Sequence, residues 1–427
     1  MRFPTLCGVL LLAACEPAST SPVKVMAIVA NSMGTYDTRQ VELTTADSVV
    51  HLSGKLLTLV GGAQVELNPA DPALGTVTSE EQLLDVLMKN RGNSVRASFT
   101  EKNGVLTPLD FHSWGMVTTF YNFEQAYRYY QKIYDGKPTD ELKGINVLYW
   151  AGYKDLSSGS ELELRDNALY FSPVRAFMIL PFDKLQKVPL SLNIGVIGHE
   201  FAHLVFSKRV FSGASLPAPI TTWTLTPFNL LKSMDEGIAD FHGYGVTCTT
   251  AATGAGCRAS LLSDSFEDKA LIAARDLTND KACMTAELRS AFHNFQPGQF
   301  LGAGLHYKYG TLIAAALYQA SAPTGKEDIM QKALINALDD DSAATPGFKQ
   351  RINLFLLSPQ SFTPELMAET IASHVTDLDL RKQVCKQLSD RLQHDCVSFP
   401  CDIGGVHVMP SCDNATRGIS CPTLPPE

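Results

Sequence analysis

The stretch GVIGHEFAHLVF, Gly195 to Phe206, is apolar enough to be buried, yet it carries His199, Glu200 and His203. Titratable side chains inside an apolar helix are costly unless partners compensate them, so the segment has to pack against something that answers them. Asn193 is placed to cap a helix, and Ile194, Ile197, Phe201, Leu204 and Val205 give it an apolar surface. His199 and His203 then lie one turn apart on the same side. There, two imidazole nitrogens can meet one metal ion at about 2 Å from each. Glu200 leans over the adjacent edge, a position suited to a carboxylate that takes a proton from metal-bound water without being a ligand.

Such a site needs a third ligand. Downstream, LTPFNLLKSMDEGIADFHGYG predicts a second helix with Thr226 as N-cap and Pro227 at its first position, its apolar spacing continuing to about Tyr244. Glu236 completes a His-His-Glu set and leaves a fourth position for water, with Asp235 or His242 as the alternatives in another helix register. Asp240, one turn after Glu236, can accept the outer ring proton of a ligand histidine and fix its tautomer. Gly237 is expected to let the two helices approach closely.

His199-Glu200-x-x-His203 followed by Glu236-x-x-x-Asp240 resembles the gluzincin zinc metallopeptidases, and further details lean toward their thermolysin-like and fungalysin-like branch. Members of that branch have an edge strand reading Asn-Ala-x-(Trp or Tyr), and this chain has Asn167-Ala168-Leu169-Tyr170. The resemblance implies that Asn167, Ala168 and Tyr170 border an extended peptide substrate paired with the strand backbone. Members also have a later helix beginning His-x-x-x-Gly, matched here by His306 and Gly310, whose histidine donates to the oxyanion of the tetrahedral intermediate. Tyr307 and Tyr309 are rivals for that role. The resemblance runs from about Thr118 to Gln319 and implies one catalytic Zn2+ on His199, His203 and Glu236. There are departures: the interval from His203 to Glu236 is longer than in thermolysin, which implies an inserted loop around SGASLPAPITTWT. Asp235 stands where thermolysin-like enzymes have Asn, and the segment ahead of the active unit is too short for their usual propeptide.

The hydropathy pattern predicts an α+β fold, a small β-rich unit followed by a small sheet with the histidine helix and then a mainly helical subdomain, and the resemblance implies that the middle part is a zincin-like catalytic core. Segments such as QVELTT, VVHLSGKLLTLVG and SVRASFTEK alternate apolar and polar residues between turn signals. One helix interrupts them near SEEQLLDVLMKNRG, with Ser79 as cap and Gly92 as its end. From Thr118 the period becomes helical. Tyr121, Tyr127, Tyr130 and Tyr134 form a stripe that a core face explains. INVLYWAG and NALYFSPVRAFMILPF have strand composition, and helices dominate from Leu190 to about Gln387. The expected units are a β-rich unit over 23–110, an upper catalytic subdomain over 111–210, a helical lower subdomain over 211–384 and a cysteine-rich tail over 385–427.

MRFPTLCGVLLLAACEPAST reads as a secretory signal, because one arginine precedes an apolar run too short to span a bilayer. Leu12-Ala13-Ala14-Cys15 resembles a bacterial lipobox, which implies cleavage after residue 14, lipidation at Cys15, a tether over 16–22 and a place in the cell envelope, periplasmic or surface-exposed. Beyond Cys7 and Cys15 the chain keeps Cys248, Cys257, Cys283, Cys385, Cys396, Cys401, Cys412 and Cys421. An even number outside the cytoplasm reads as disulfides, and Cys248 and Cys257, flanking a Gly-containing loop, form a local pair. The net charge of −9 with scattered acidic residues offers no basic patch for nucleic acid. His51, His112, His293, His374, His394 and His407 have no partner at metal-ligand spacing and read as structural or solvated. The expected function is a lipid-anchored zinc metallopeptidase acting on peptides or proteins, with Glu200 as general base. A binding or scaffold lipoprotein with an idle metal site, and a zinc hydrolase of non-peptide amides, are the alternatives.

Overall fold

A computed structural model describes residues 22–31, 35–156, 162–183, 185–212, 225–250, 256–280, 282–340, 342, 345–355, 362–392, 402–403 and 406–407. Cys15, the loop around 213–224, and Cys396, Cys401, Cys412 and Cys421 lie outside them, as does His394. The fold is α+β, as expected. Val23–Ala30 pairs antiparallel with Tyr36–Leu43 and, on its other side, parallel with Val105–Pro108. Its alternation buries Val25, Ala27 and Val29 while intervening residues face outward.

The sheet that positions the site has Ala168–Phe171 at its edge, followed in space by Ala176–Ile179, Ile145–Tyr149 and Leu57–Gly61. The edge pair is antiparallel, whereas Ile145–Tyr149 pairs parallel on both sides, with Val147 between Leu59 and Phe177. Strand hydrogen bonding therefore crosses residue 110: Leu57–Gly61, from the β-rich segment, is a central strand of the sheet that carries Ala168–Phe171. One apolar core accordingly extends from Val25 to Leu392. On the helical face Phe177 meets Phe123 and Phe201 with ring centroids 4.7 and 6.1 Å away. The opposite face buries Ala176, Met178 and Leu180 with Val65, Leu87 and Tyr153 in a smaller core.

Helix Phe111–Ile133 starts seven residues before its aromatic period becomes visible, because the Asp110 side chain accepts from Ser113 N at 2.9 Å and caps it. The tyrosine stripe is buried, as a core face requires. Ser79 caps Glu80–Leu87 as expected, but Gly92 does not end that helix. The chain leaves the helix at Leu87 because Met88–Asn90 pairs with Gln64–Leu67. Gly92, at φ +76°, turns the next corner, where a Cβ would lie 2.6 Å from Val60 Cγ1.

Position 385 does not begin a tail in the structure. Cys385 is buried within helix Leu378–Leu392, which packs along helix Leu305–Ser321. The helix ends with Arg391 fully buried and donating to Ala282 O at 2.7 Å. Cys248 and Cys257 form the expected disulfide, and Cys283 and Cys385 are also disulfide-bonded. Among the described residues no helix is long and apolar enough to cross a membrane.

Candidate metal centre

Asn193 caps helix Ile194–Phe211, its Oδ1 accepting from Gly195 N at 3.0 Å and Val196 N at 3.2 Å. Ile197, Phe201, Leu204 and Val205 are buried, so the apolar surface read from the sequence is the packed one. Helix Leu225–Thr250 lies against it. Thr226 is already inside this helix rather than capping it, and its hydroxyl faces His293 Nδ1 at 3.3 Å; Pro227 falls in the first turn, where its missing N–H has no helical partner to lose. Gly198 and Gly243 allow the close crossing: a Cβ at Gly198 would lie 2.8 Å from Val246 Cβ, and one at Gly243 2.9 Å from Gly195 O. Gly237, expected to serve there, faces helix Leu305–Ser321 instead, 2.6 Å from Gly310 O by the same measure. Gly310 in turn would place a Cβ 2.8 Å from that of Glu236, so this glycine pair sets that helix directly against the glutamate.

The crossing brings His199, His203 and Glu236 together, with one donor atom from each within 4.8 Å of the others. The two Nε2 atoms are 3.1 Å apart, and Glu236 oxygens lie 3.4 Å from His199 Nε2 and 3.7 Å from His203 Nε2. Donors on a tetrahedral ion with bonds of about 2 Å stand about 3.3 Å from one another, so this spacing fits one small dication. It is the one such group among the described residues. Asp240 takes the place expected of it, Oδ1 2.9 Å from His199 Nδ1.

Asp235 is not a ligand but the counterpart of Asp240, its Oδ1 2.8 Å from His203 Nδ1. Each outer carboxylate holds a proton on Nδ1 and leaves the Nε2 lone pair facing the centre. His242 is likewise no ligand. Its Nδ1 meets Tyr129 Oη at 2.7 Å, and burial drives its pKa down to about 3.

Sequence reasoning missed Arg275. It follows the short helix Lys269–Ala274, and its Nη2 reaches Asp240 Oδ1 at 2.5 Å and Glu236 Oε2 at 3.4 Å. Its guanidinium lies 4.8 Å over the ring of Tyr307. The available signal was charge: Glu200, Asp235, Glu236 and Asp240 outnumber the two positive charges of one dication, so a nearby cation was required.

The electrostatics favour positive charge at the centre. Burial and the Arg275 charge oppose protonation of His199, but Asp240 and Glu236 outweigh them and push it up to about 10. His203 is raised too, burial losing to Asp235 and Glu236. Glu236 is held well below the usual carboxylate range despite burial, because His203, His199 and Arg275 surround it. A pocket that draws protons onto one buried and one half-buried imidazole has the polarity that binds a dication.

Glu200 lies beside the triad, 3.9 Å from His199 Nε2, and its Oε2 accepts from Tyr170 N at 2.7 Å. Burial raises its pKa against the opposing charges of His199 and His203. Asn167, Ala168 and Tyr170 thus stand where the edge strand meets the centre. Tyr170 also packs on Phe177, ring centroids 5.0 Å apart, and Asn167 Oδ1 turns back to accept from Ala168 N at 2.9 Å. The strand's outer edge has no strand partner among the described residues.

His306, in the first turn of helix Leu305–Ser321, is buried with no hydrogen-bond partner at Nδ1. Burial lowers its pKa to about 4 against the pull of Glu236, so the ring is neutral at pH 7. Tyr307 is near the centre as well: the Glu236 charge, then burial, lifts its phenol far above the ordinary value. Tyr309 is out of contention, buried and stacked on Phe292 with centroids 4.4 Å apart. Of the other histidines, His51 meets Val95 O at 2.9 Å and His374 meets Thr370 O at 2.8 Å. His112 sits against Trp150, and His407 lies in the short strand Val406–His407. Neither the protein-family models nor the curated proteins compared with this chain give a match.

Proposed function

We propose that this chain is a zinc-dependent peptidase of the gluzincin type, anchored to a bacterial cell envelope through Cys15. The observation that carries the proposal is the position of Glu200. Its carboxylate is buried beside the His199, His203 and Glu236 donors and is bonded to the backbone of a sheet edge that has no strand partner among the described residues. A purely structural metal site has no use for such a base and generally recruits a fourth protein ligand.

Two imidazoles and a carboxylate suit zinc, which when bound polarises a carbonyl and lowers the pKa of its coordinated water. His199, His203 and Glu236 would hold the ion, and Asp240 and Asp235 would keep the rings oriented. The edge strand Ala168–Phe171 would pair with an extended peptide and lay its scissile bond beside Glu200. Glu200, with a raised proton affinity, accepts the proton from water and passes it to the departing amine. His306, neutral at pH 7 and in the first turn of the helix set against Glu236, would donate to the oxyanion.

The test is hydrolysis of a mixed peptide library by the purified chain, with and without a chelator, beside Glu200→Gln. Chelator-sensitive cleavage that Glu200→Gln lacks is expected. Cleavage indifferent to chelator, or undiminished in the variant, would remove the proposal, and cleavage only of non-peptide amides would redirect it.

A further inference from the structure

Arg275 enters the metal centre between a short surface helix and the buried Leu277. The preceding helix, Lys269–Ala274, has no buried residue, so core packing holds the backbone at Arg275 only from its far side, through the buried Leu277. The ends of the segment are held firmly. Cys257 is linked to Cys248, two turns beyond Asp240 on the glutamate helix, and Arg258 N donates to Thr247 Oγ1 of that helix at 2.7 Å. The returning end registers on the same anchor: Leu277 N donates to Ala259 O at 3.1 Å, and Ser260 bridges Asp276, the neighbour of Arg275.

We infer that the Cys248–Cys257 disulfide positions Arg275, and through it Asp240 and His199. The strap from Cys257 to Leu277 leaves the helix that bears Glu236 and Asp240, and returns to the same helix. A cross-link at its root limits where its return can lie, much as a short closed loop limits its own ends. Arg275 thereby reaches Asp240 at a fixed angle and holds that carboxylate against His199 Nδ1. Arg275 is a positioning residue here, acting on His199 through Asp240 and on Glu236 by its own contact. The inference rests on the proposed metal site only for its zinc readout.

The sign of one effect separates positioning from simple charge. Removing a cation beside a dication strengthens zinc binding if Arg275 acts only by its charge, and weakens it if Arg275 orients Asp240. Zinc affinity, read by competition with a chromophoric chelator, is expected to fall roughly tenfold in Arg275→Met, in Arg275→Lys and in Cys248→Ser/Cys257→Ser. The combined disulfide and Arg275→Met variant should fall no further. In zinc-free protein, the Arg275 Nε–H resonance, assigned by its loss in Arg275→Met, should broaden or shift in the disulfide variant. If that variant fails to fold, Thr247→Val cuts the Arg258 tie while keeping the disulfide, and should give a smaller change in the same direction. Tighter or unchanged zinc binding, additive losses, or an unaltered Arg275 resonance would overturn the inference. Wild-type protein that binds no zinc would instead contradict the proposed function, and the resonance would still decide about the strap.

Discussion

Helix Leu225–Thr250 carries two polar environments, one around Glu236 that keeps some access to solvent and one around His242 that is enclosed, and they behave oppositely. His242 has one phenol for a partner and a bare Nε2, and burial keeps it neutral. Around Glu236 burial also opposes charge, yet Glu236 and Asp240 are held below the ordinary carboxylate range and the histidines favour protons. Burial of a titratable group is therefore not by itself the mark of a site. The mark is a set of buried charges that only an added cation can balance.

The comparison breaks most visibly at Glu200. Glu200→Gln should lower turnover on a cleaved peptide by roughly 10²- to 10⁴-fold while leaving zinc bound, as paired kinetics and elemental analysis would show. Next come the outer carboxylates. Asp235→Asn and Asp240→Asn should each weaken zinc roughly 10- to 100-fold in a chelator competition, and equal losses would mean that the two rings are held alike.

His242 gives a smaller effect that depends on pH. Its folded pKa of about 3 lies below the unfolded value near 6.5. Below that unfolded value the unfolded chain takes up a proton that the folded chain refuses, so stability is full above it and falls toward pH 3. The slope from this group approaches about 1.4 kcal/mol per pH unit. Urea unfolding across that window should show His242→Gln losing this part of the slope. Smallest is a control far from both environments: Ser79→Ala should cost about 1 kcal/mol through the lost cap and leave zinc affinity unchanged.

What was legible in the sequence was local. His199, Glu200 and His203 are fixed by helical spacing alone, and Asn193 and Ser79 are caps with a short-range chemical reason. Glu236 and Asp240 were reachable because one turn separates them on a second helix. What depended on tertiary approach was not legible. Asp235 looked like a rival ligand, since only the crossing angle decides whether that carboxylate faces the ion or the outer nitrogen of His203. Arg275 lies 35 residues beyond Asp240 in sequence and arrives through a disulfide-rooted strap. Gly237 was assigned to the wrong neighbouring helix for the same reason. Leu57–Gly61 reads as a strand, but its parallel partner Ile145–Tyr149 follows only after a long crossover, which the alternation of apolar residues cannot announce.

The most direct test is the metal content of the purified full-length chain, measured with its peptidase activity in wild type, Glu236→Ala and Glu200→Gln. A zinc peptidase built as described holds one zinc per chain and cleaves peptides as wild type, loses both zinc and cleavage in Glu236→Ala, and keeps zinc without cleavage in Glu200→Gln. Full zinc occupancy in Glu236→Ala, or full cleavage in Glu200→Gln, would contradict it.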